Sequence, residues 1–423
     1  MSISDIYILL RGSVIRSQFL FSVLFTLCFP VIVFGGAPVH GAKAAGMGTA
    51  FVAVSDDPSA MAYNPAGLTL MKGTDIYGGG TAVIPSTSFT SPSGESEDTA
   101  FQIFPPPFLY AVSDAGLKDL RFGLAIYCPF GIGGRKWSTT GLTRYAATKD
   151  QIATVAANPT IAYQVLPSLS IGLGADYMYA KDEAQRMVNQ ASLGFGDGQF
   201  DLKGSGGGWG YNLGILFTPI EKVSVGFAYR STIKVNFKGD VQLKNIAPSL
   251  QPLFGGSEFS SDMSTSMKFP DIISFGLAYR PTAKLTIALD LEEIKWSTFG
   301  SSTITLQNEV PQAGISSGST ELNWKNMWTA KIGAEYKATD RLSLRGGYAY
   351  VARAVPDNTL DPGNPDSTEH NFSLGFGYKK GGLVMDFFYM AGFFENRTVT
   401  NTILSGSYKN FVNYVGVGTG YSF

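Results

Sequence analysis

Along most of the chain, large apolar residues alternate with small or polar ones, and the charges fall on one parity. In the stretch 169–179, Leu169, Ile171, Leu173, Tyr177 and Tyr179 interleave with Ser170, Gly172, Gly174, Asp176 and Met178. Val223, Val225, Phe227 and Tyr229 alternate with Ser224, Gly226, Ala228 and Arg230, and Ile273, Phe275, Leu277 and Tyr279 with Ser274, Gly276, Ala278 and Arg280. Thr286, Ala288, Asp290 and Glu292 follow the same rule, as do Lys331, Gly333 and Glu335. Successive side chains of a strand point to opposite faces, so each segment has one greasy face and one thin, wet face. Alternation alone also suits a soluble sandwich. Long strands ending in aromatics, with glycine and charge on the second face, favour a membrane barrel with a polar lumen.

The pattern predicts about fourteen strands, near 75–89, 99–112, 120–131, 152–164, 169–188, 201–218, 222–238, 266–280, 284–299, 322–337, 341–352, 369–379, 382–396 and 408–423. Their connections alternate in length. Short turns fall at 165–168, 218–221, 280–283, 337–340 and 379–381; long loops fall at 132–151, 189–200, 239–265, 300–321 and 352–368. Long loops on one side and short turns on the other are the layout of an outer-membrane barrel, and an even strand number brings both barrel ends to the periplasmic side. In the last strand Val415, Val417, Thr419, Tyr421 and Phe423 share one parity against Gly416, Gly418, Gly420 and Ser422. A terminal aromatic closing such a strand resembles the signal read by the barrel assembly machinery.

Composition strengthens the membrane reading. Only 15% of the 423 residues are charged, against about 25% in soluble domains. The net charge of -1 and the absence of a Lys/Arg stripe argue against a nucleic-acid partner. Two cysteines, Cys28 and Cys128, make no disulfide framework. Arg11 and Arg16 precede the apolar run 19–33, which reads as a cleaved export signal over 1–36, with cleavage after Gly35 or Gly41. No other helical span is evident, so closed strands must carry the chain through lipid.

Between the signal and the first strand lies a segment, 37–74, that does not alternate. Asp57-Pro58 is a helix start, a carboxylate cap followed by proline at the first helical position, and Asn64-Pro65 ends that helix two turns later. A unit this short needs walls around it, and the barrel lumen provides them.

The order Gly46-Met47-Gly48, Ala50-Phe51-Val52, Asp56-Asp57-Pro58-Ser59-Ala60 and Asn64-Pro65-Ala66-Gly67-Leu68 resembles the N-terminal hatch of the FadL/TodX family of outer-membrane transporters. The resemblance continues through Pro129-Phe130-Gly131, Trp137, Arg144-Tyr145, Trp209-Gly210-Tyr211-Asn212-Leu213-Gly214, Tyr229-Arg230-Ser231, Phe237-Lys238-Gly239, Phe269-Pro270, Trp296-Ser297, Pro356-Asp357 and Pro365-Asp366. It implies an all-β, fourteen-stranded, monomeric transmembrane barrel over 75–423, plugged by the hatch, with Asp57, Asn64, Pro65 and Ala66 as its motif. It places the protein in the outer membrane of a Gram-negative bacterium, among outer-membrane lipid and lipopolysaccharide. The implied cargo is hydrophobic: long-chain fatty acids, or alternatively neutral aromatic or aliphatic hydrocarbons.

Three groups of residues are candidates for the work. Ile246, Leu250, Leu253 and Phe254, in an otherwise polar loop, suit capture of an apolar compound, or else a small core under the loop. Arg230, Arg280, Lys331 and Arg345 have inward parity and suit a carboxylate, or else they pair with Asp176, Asp290, Glu292, Glu335 and Asp386. Pro129, Phe130 and Gly131 interrupt the third strand, where the resemblance implies a lateral exit; alternatively Pro129 ends that strand at the outer rim.

Enzyme chemistry is not expected. There are two histidines, His40 and His370, and no serine framed as a nucleophile; His370 with Asp366 or Glu369 reads as a solvating cluster. Gly204–Gly208 lacks the lysine and the strand-to-helix context of a phosphate loop. No catalytic residue, metal or cofactor is expected. A general diffusion porin shares the barrel pattern but not the hatch, and a secreted β-sandwich would dissolve without detergent.

Overall fold

The computed structural model describes residues 39–423. Residues 1–38, which include the segment read as an export signal and Cys28, lie outside the described residues. Before the barrel come two short helices, α1 (Ala42–Gly46) and α2 (Ala60–Tyr63), and a 3₁₀ turn, Pro65–Leu70. Fourteen strands follow: β1 (Thr74–Thr90), β2 (Pro107–Ser113), β3 (Leu120–Tyr127, resuming as Ile132–Lys136), β4 (Lys149–Leu166), β5 (Leu169–Val188), β6 (Gly198–Ile220) and β7 (Val223–Arg230, then Ile233–Lys244). The second half comprises β8 (Phe259–Phe269, then Ile272–Thr282), β9 (Leu285–Ile294, then Ser301–Leu306), β10 (Gly318–Glu321, then Met327–Lys337), β11 (Leu342–Val351), β12 (Glu369–Lys380), β13 (Leu383–Phe394) and β14 (Gly406–Ser422). Each strand pairs antiparallel with the next. β14 returns to β1 from Asp75↔Ser422 to Thr90↔Ser407, closing the wall. Closure leaves no free sheet edge facing lipid, the condition for strands to cross a bilayer.

The barrel is polar inside and greasy outside. On β5, Asp176 and Asp182 are 0% exposed, while Leu173 is 49% and Tyr177 43% exposed. Tyr163, Phe217, Tyr279, Tyr336 and Tyr421 ring the end with short turns, and Tyr177, Trp209, Trp328, Tyr350 and Phe372 ring the other. These are the two aromatic girdles of an outer-membrane barrel, flanking its apolar band.

The strands run farther outward than the alternation predicts. β7 continues to Lys244 and β8 begins at Phe259, so the loop expected over 239–265 shrinks to 245–258. At Ser231-Thr232 and at Pro270-Asp271 the strands break and resume on the opposite parity, so a single period does not run through them.

On the lipid face, a charge at mid-strand has no water to reach. Leu289→Arg, at the middle of β9, is expected to destabilise the barrel by about 2–4 kcal/mol, whereas Ser264→Arg near the outer rim should cost under about 1 kcal/mol. Urea unfolding of vesicle-inserted protein measures both.

Candidate functional site: the plugged lumen and the break in its wall

Residues 39–73 fill the lumen. Ala42, Ala44, Ala45, Met47, Ala50, Phe51, Ala60, Met61 and Leu68 are all fully buried. Asp57 Oδ1 accepts from the Ser59 N–H (2.8 Å) and the Ser59 hydroxyl, and Ala60 N–H bonds back to the Asp57 carbonyl. The helix expected from Asp57-Pro58 therefore enters through a tight turn before the α-helical residues of α2.

Asn64 is the stop that this turn needs and also a clamp. Its Nδ2 donates to the Val52 carbonyl (2.8 Å) and to the Ile215 carbonyl of β6 (3.0 Å), while its Oδ1 accepts from Ala66 N–H. Pro65 and Ala66 lie directly against β5 and β6. A β-carbon at Gly172 would sit 2.4 Å from the Pro65 carbonyl carbon, and one at Gly214 would sit 2.1 Å from Asn64 Oδ1. The seat continues around the wall, where β-carbons at Gly226 and Gly333 would meet the carbonyl oxygens of Val52 at 2.4 Å and Met47 at 2.2 Å. The inward glycines of the alternating pattern are thus where hatch backbone touches wall backbone.

Wall side chains complete the docking. Asp290 Oδ2 accepts the N–H groups of Phe51 (2.6 Å) and Val52 (2.9 Å), Asn212 Nδ2 donates to the Met61 carbonyl (2.8 Å), and Gly48 N–H donates to Ser373 Oγ (2.8 Å). Arg121 Nε donates to the Met71 carbonyl (2.6 Å). Alternation marks most of these residues as inward; it does not reveal that they address hatch backbone.

The four inward cations all have partners. Arg230 pairs with Asp176, which also accepts from Tyr127 and Asn158, and donates to the Ala62 carbonyl. Arg345 pairs with Glu335 (2.7 Å) and Asp386, and Lys43 of the hatch joins the same cluster through Glu335 (3.7 Å) and Asp56 (2.8 Å). Lys331 pairs with Glu292 (3.2 Å). Arg280, nearer the turns, donates to Ser224 Oγ (2.8 Å). Arg230, Lys331 and Arg345 thus neutralise lumenal carboxylates, and Arg230 also holds the hatch at Ala62. Removing one member of such a buried pair leaves an uncompensated charge and costs about 3–5 kcal/mol.

Near Arg230 and Lys331 a cavity of about 40 Å³ remains, bordered also by His40, Tyr63, Pro129 and Asn212. Burial, aided by Arg230 and Lys331, holds the His40 imidazole well below the usual histidine range. Ligand pockets for drug-sized molecules run to about 300–1,000 Å³, so this cavity has no room for one. The outer end is narrowed by a loop. Loop 352–368 folds inward, with Leu360 fully buried, Asp366 Oδ2 accepting from Ala354 and Val355, and Trp137 Nε1 donating to the Pro362 carbonyl. Its Pro356-Asp357 and Pro365-Asp366 pairs were visible in the sequence, but nothing there gave their direction.

The wall is interrupted at β3. β2 and β3 pair only from Ser113↔Phe122 to Leu109↔Ile126. β3 then leaves the ladder at Cys128–Gly131 and resumes as Ile132–Lys136 against β4 alone. Pro129 therefore interrupts the strand and does not end it. Phe130 turns inward to Phe269 (ring centroids 4.9 Å) and Trp296 (6.3 Å) on the opposite side. Across the break stand Pro105, Pro106 and Pro107, with Cys128 Sγ 3.8 Å from the Pro107 carbonyl oxygen. Pro105 and Pro107, whose backbone faces away from β1, and Pro129 deny the two edges donors. Farther out, Ala100 N–H donates to the Lys136 carbonyl (2.8 Å) and bounds the break; Phe101 and Ile103 are exposed beside it. The proline run inside a predicted strand was the signal for this site, and the alternation around it hid it.

Outside, Ile246 and Leu250 are buried in the loop's apolar core, Phe254 stacks edge-on against Phe259 (5.5 Å), and Leu253 is exposed. The two histidines lie apart from any nucleophile. His370 Nδ1 meets Tyr348 Oη (2.8 Å) and its Nε2 faces Glu395 (3.8 Å), not Asp366 or Glu369 as the sequence suggested. Gly204–Gly208 lies within β6, with no helix after it.

Gly214→Ala and Gly333→Ala are expected to unseat the hatch and raise single-channel conductance in planar bilayers, whereas Gly346→Ala, whose β-carbon has no neighbour closer than 3.8 Å, should not. A pH dependence follows as well. Burial, opposed by Lys43 and Ser59, pushes the Asp57 carboxyl from 3.8 up to about 6. Proton uptake at Asp57 therefore favours the seated hatch, whereas at His40, held neutral by burial, it favours release; in a His40→Gln background leak conductance should fall as pH drops from about 7 to 5. Asp57→Asn should flatten that response.

The family model for the outer membrane protein transport proteins (OMPP1/FadL/TodX) matches residues 33–423. The long-chain fatty acid transport protein of Escherichia coli O6:H1 is 26% identical over 81% of this chain and 83% of its own length. Outer membrane protein P1 of Haemophilus influenzae is 24% identical over 79% of this chain and 80% of its own. Among solved structures, a Pseudomonas aeruginosa FadL homologue superposes with a TM-score of 0.80 at 18% identity, covering 91% of this chain and 99% of that one. The P. putida toluene transporter TodX gives 0.77 at 17% identity, covering 92% and 99%. A closed fourteen-stranded wall, a greasy exterior and a lumen filled by the chain's own N-terminal segment agree with that match: this chain belongs to the OMPP1/FadL/TodX family, outer-membrane β-barrels that transport hydrophobic compounds and are not enzymes.

Proposed function

We propose that this barrel takes up long-chain fatty acids and releases them sideways into the bilayer through the break between β2 and β3. The observation that carries the reading is the proline-lined interruption of the wall, beside a lumen filled by the hatch. An acyl chain loses about 0.8 kcal/mol for each CH₂ returned to water, so a route from lumen to lipid is favoured over one into the periplasm. The exposed Phe101 and Ile103 give the outer edge of the break an apolar surface. Of the four loop candidates, exposed Leu253 and half-buried Phe254 are left for first capture. Hatch movement must then make room, because about 40 Å³ admits no acyl chain. The fatty-acid transport activity named for the E. coli relative supports the acid as cargo.

A second reading has its own support. Arg230, Lys331 and Arg345 already neutralise lumenal carboxylates, which leaves a neutral hydrocarbon as the easier guest, and the P. putida neighbour is a toluene transporter. Binding of a long-chain fatty acid and of toluene to detergent-purified protein, with Arg230→Ala and Arg345→Ala alongside, separates the two. Fatty-acid binding weakened by either change supports the acid; toluene binding indifferent to both supports the hydrocarbon.

The exit route has a separate test. A cysteine at Pro107, beside the native Cys128, would staple the break. Pro107→Cys is expected to abolish uptake by cells under oxidising conditions, to recover it on reduction, and to leave ligand binding in detergent unchanged. Unimpaired uptake by the stapled protein would sink the lateral route.

A further inference from the structure

We propose that the outer face of β6–β8 carries a docking site for the phosphorylated headgroup of an outer-leaflet glycolipid, built on Lys234 and Lys268. The two lysines are direct cross-strand partners, Lys234↔Lys268, and both are exposed. Like charges placed directly opposite each other on a sheet face repel, so the pair needs an anion to justify it. Among the described residues neither lysine makes an ion pair, nor does Lys238, which stands four residues beyond Lys234 on the same face. Between them lie Asn236 opposite Ser266, and Lys238 is opposite Ser264. The patch thus offers ammonium, amide and hydroxyl groups and no carboxylate.

The nearest acids are otherwise engaged or set apart. Asp271 is held by Lys295 (3.0 Å) and Thr232 (3.4 Å). Asp240 and Asp262 face each other farther out, with Lys203 opposite Asp240 on β6. The lysines cannot relieve their repulsion by turning inward, because the alternate positions Val235, Phe237, Met267 and Phe269 are packed in the lumen.

Position identifies the partner. Lys234 lies eleven residues beyond Val223, which begins β7 next to a short turn; for a strand tilted about 40° this is roughly 28 Å of height, just above an apolar band about 25 Å tall. Immediately below, Trp209 is 70% exposed, and Tyr211, Leu213 and Phe275 present the lipid face. Acyl chains would lie on that face while phosphates reach the lysines. This inference does not depend on what the barrel carries.

The test titrates the full-length barrel, in zwitterionic nanodiscs, with diphosphorylated lipid A and with its dephosphorylated form. Wild type is expected to prefer the phosphorylated lipid by about tenfold or more, and Lys234→Gln/Lys268→Gln to lose that preference. Lys234→Arg/Lys268→Arg should keep it, as should Lys222→Gln/Lys284→Gln at the short turns. Equal binding of both lipids by wild type, an unchanged preference in the glutamine pair, or full displacement by millimolar inorganic phosphate would overturn the proposal, the last by making the patch a free-anion site.

Discussion

Every backbone N–H and C=O that faces hydrocarbon must find its partner within the chain, and the rest of this molecule follows from that constraint. It forces the strands to close, and closure creates an interior. Alternation then makes that interior polar, because the face turned to lipid has taken the large apolar side chains. A polar lumen of this width holds many ionisable groups, and they must neutralise one another. The Arg230–Asp176 and Arg345–Glu335–Asp386 clusters do so.

The hatch uses what the lumen leaves over. It is made of small residues, so its own backbone is accessible, and it presents that backbone to glycines of the wall. Contact of main chain with main chain, without intervening side chains, fixes the hatch with few degrees of freedom. Ion pairs that bridge strands also touch it, as Arg230 does at Ala62 and Lys43 does at Glu335. Wall integrity and hatch position are therefore properties of one connected network.

The barrel was legible because its information is local. Period-two alternation, turn lengths and the terminal aromatic each survive in a short window, and the fourteen predicted strands correspond one to one with the strands observed. The legible part of the interior was parity: Arg230, Lys331 and Arg345 were expected to face inward, and they do. Their partners were legible only as a list of inward acids, since pairing depends on strand register and stagger. The direction of loop 352–368 and the opposition of Pro105–Pro107 to Pro129 depend on contacts between segments about twenty to two hundred residues apart, for which a one-dimensional pattern has no term. Ser231-Thr232 and Pro270-Asp271 escaped notice for another reason, since the predicted strands 222–238 and 266–280 run straight through these local breaks.

The proline-lined break has a further consequence for how such a wall survives assembly. An interruption in a sheet exposes two strand edges, and exposed edges recruit other strands, from a neighbouring barrel or from a chain still being inserted. Here Pro105 and Pro107, whose backbone faces the gap on one edge, and Pro129 on the other, carry no N–H. A foreign strand approaching the gap would find carbonyl groups to donate to but little that donates in return, and a ladder with one side missing does not propagate. The same residues that keep the wall apart thus keep it from being completed by the wrong partner, which allows an opening to persist in a crowded membrane of similar barrels.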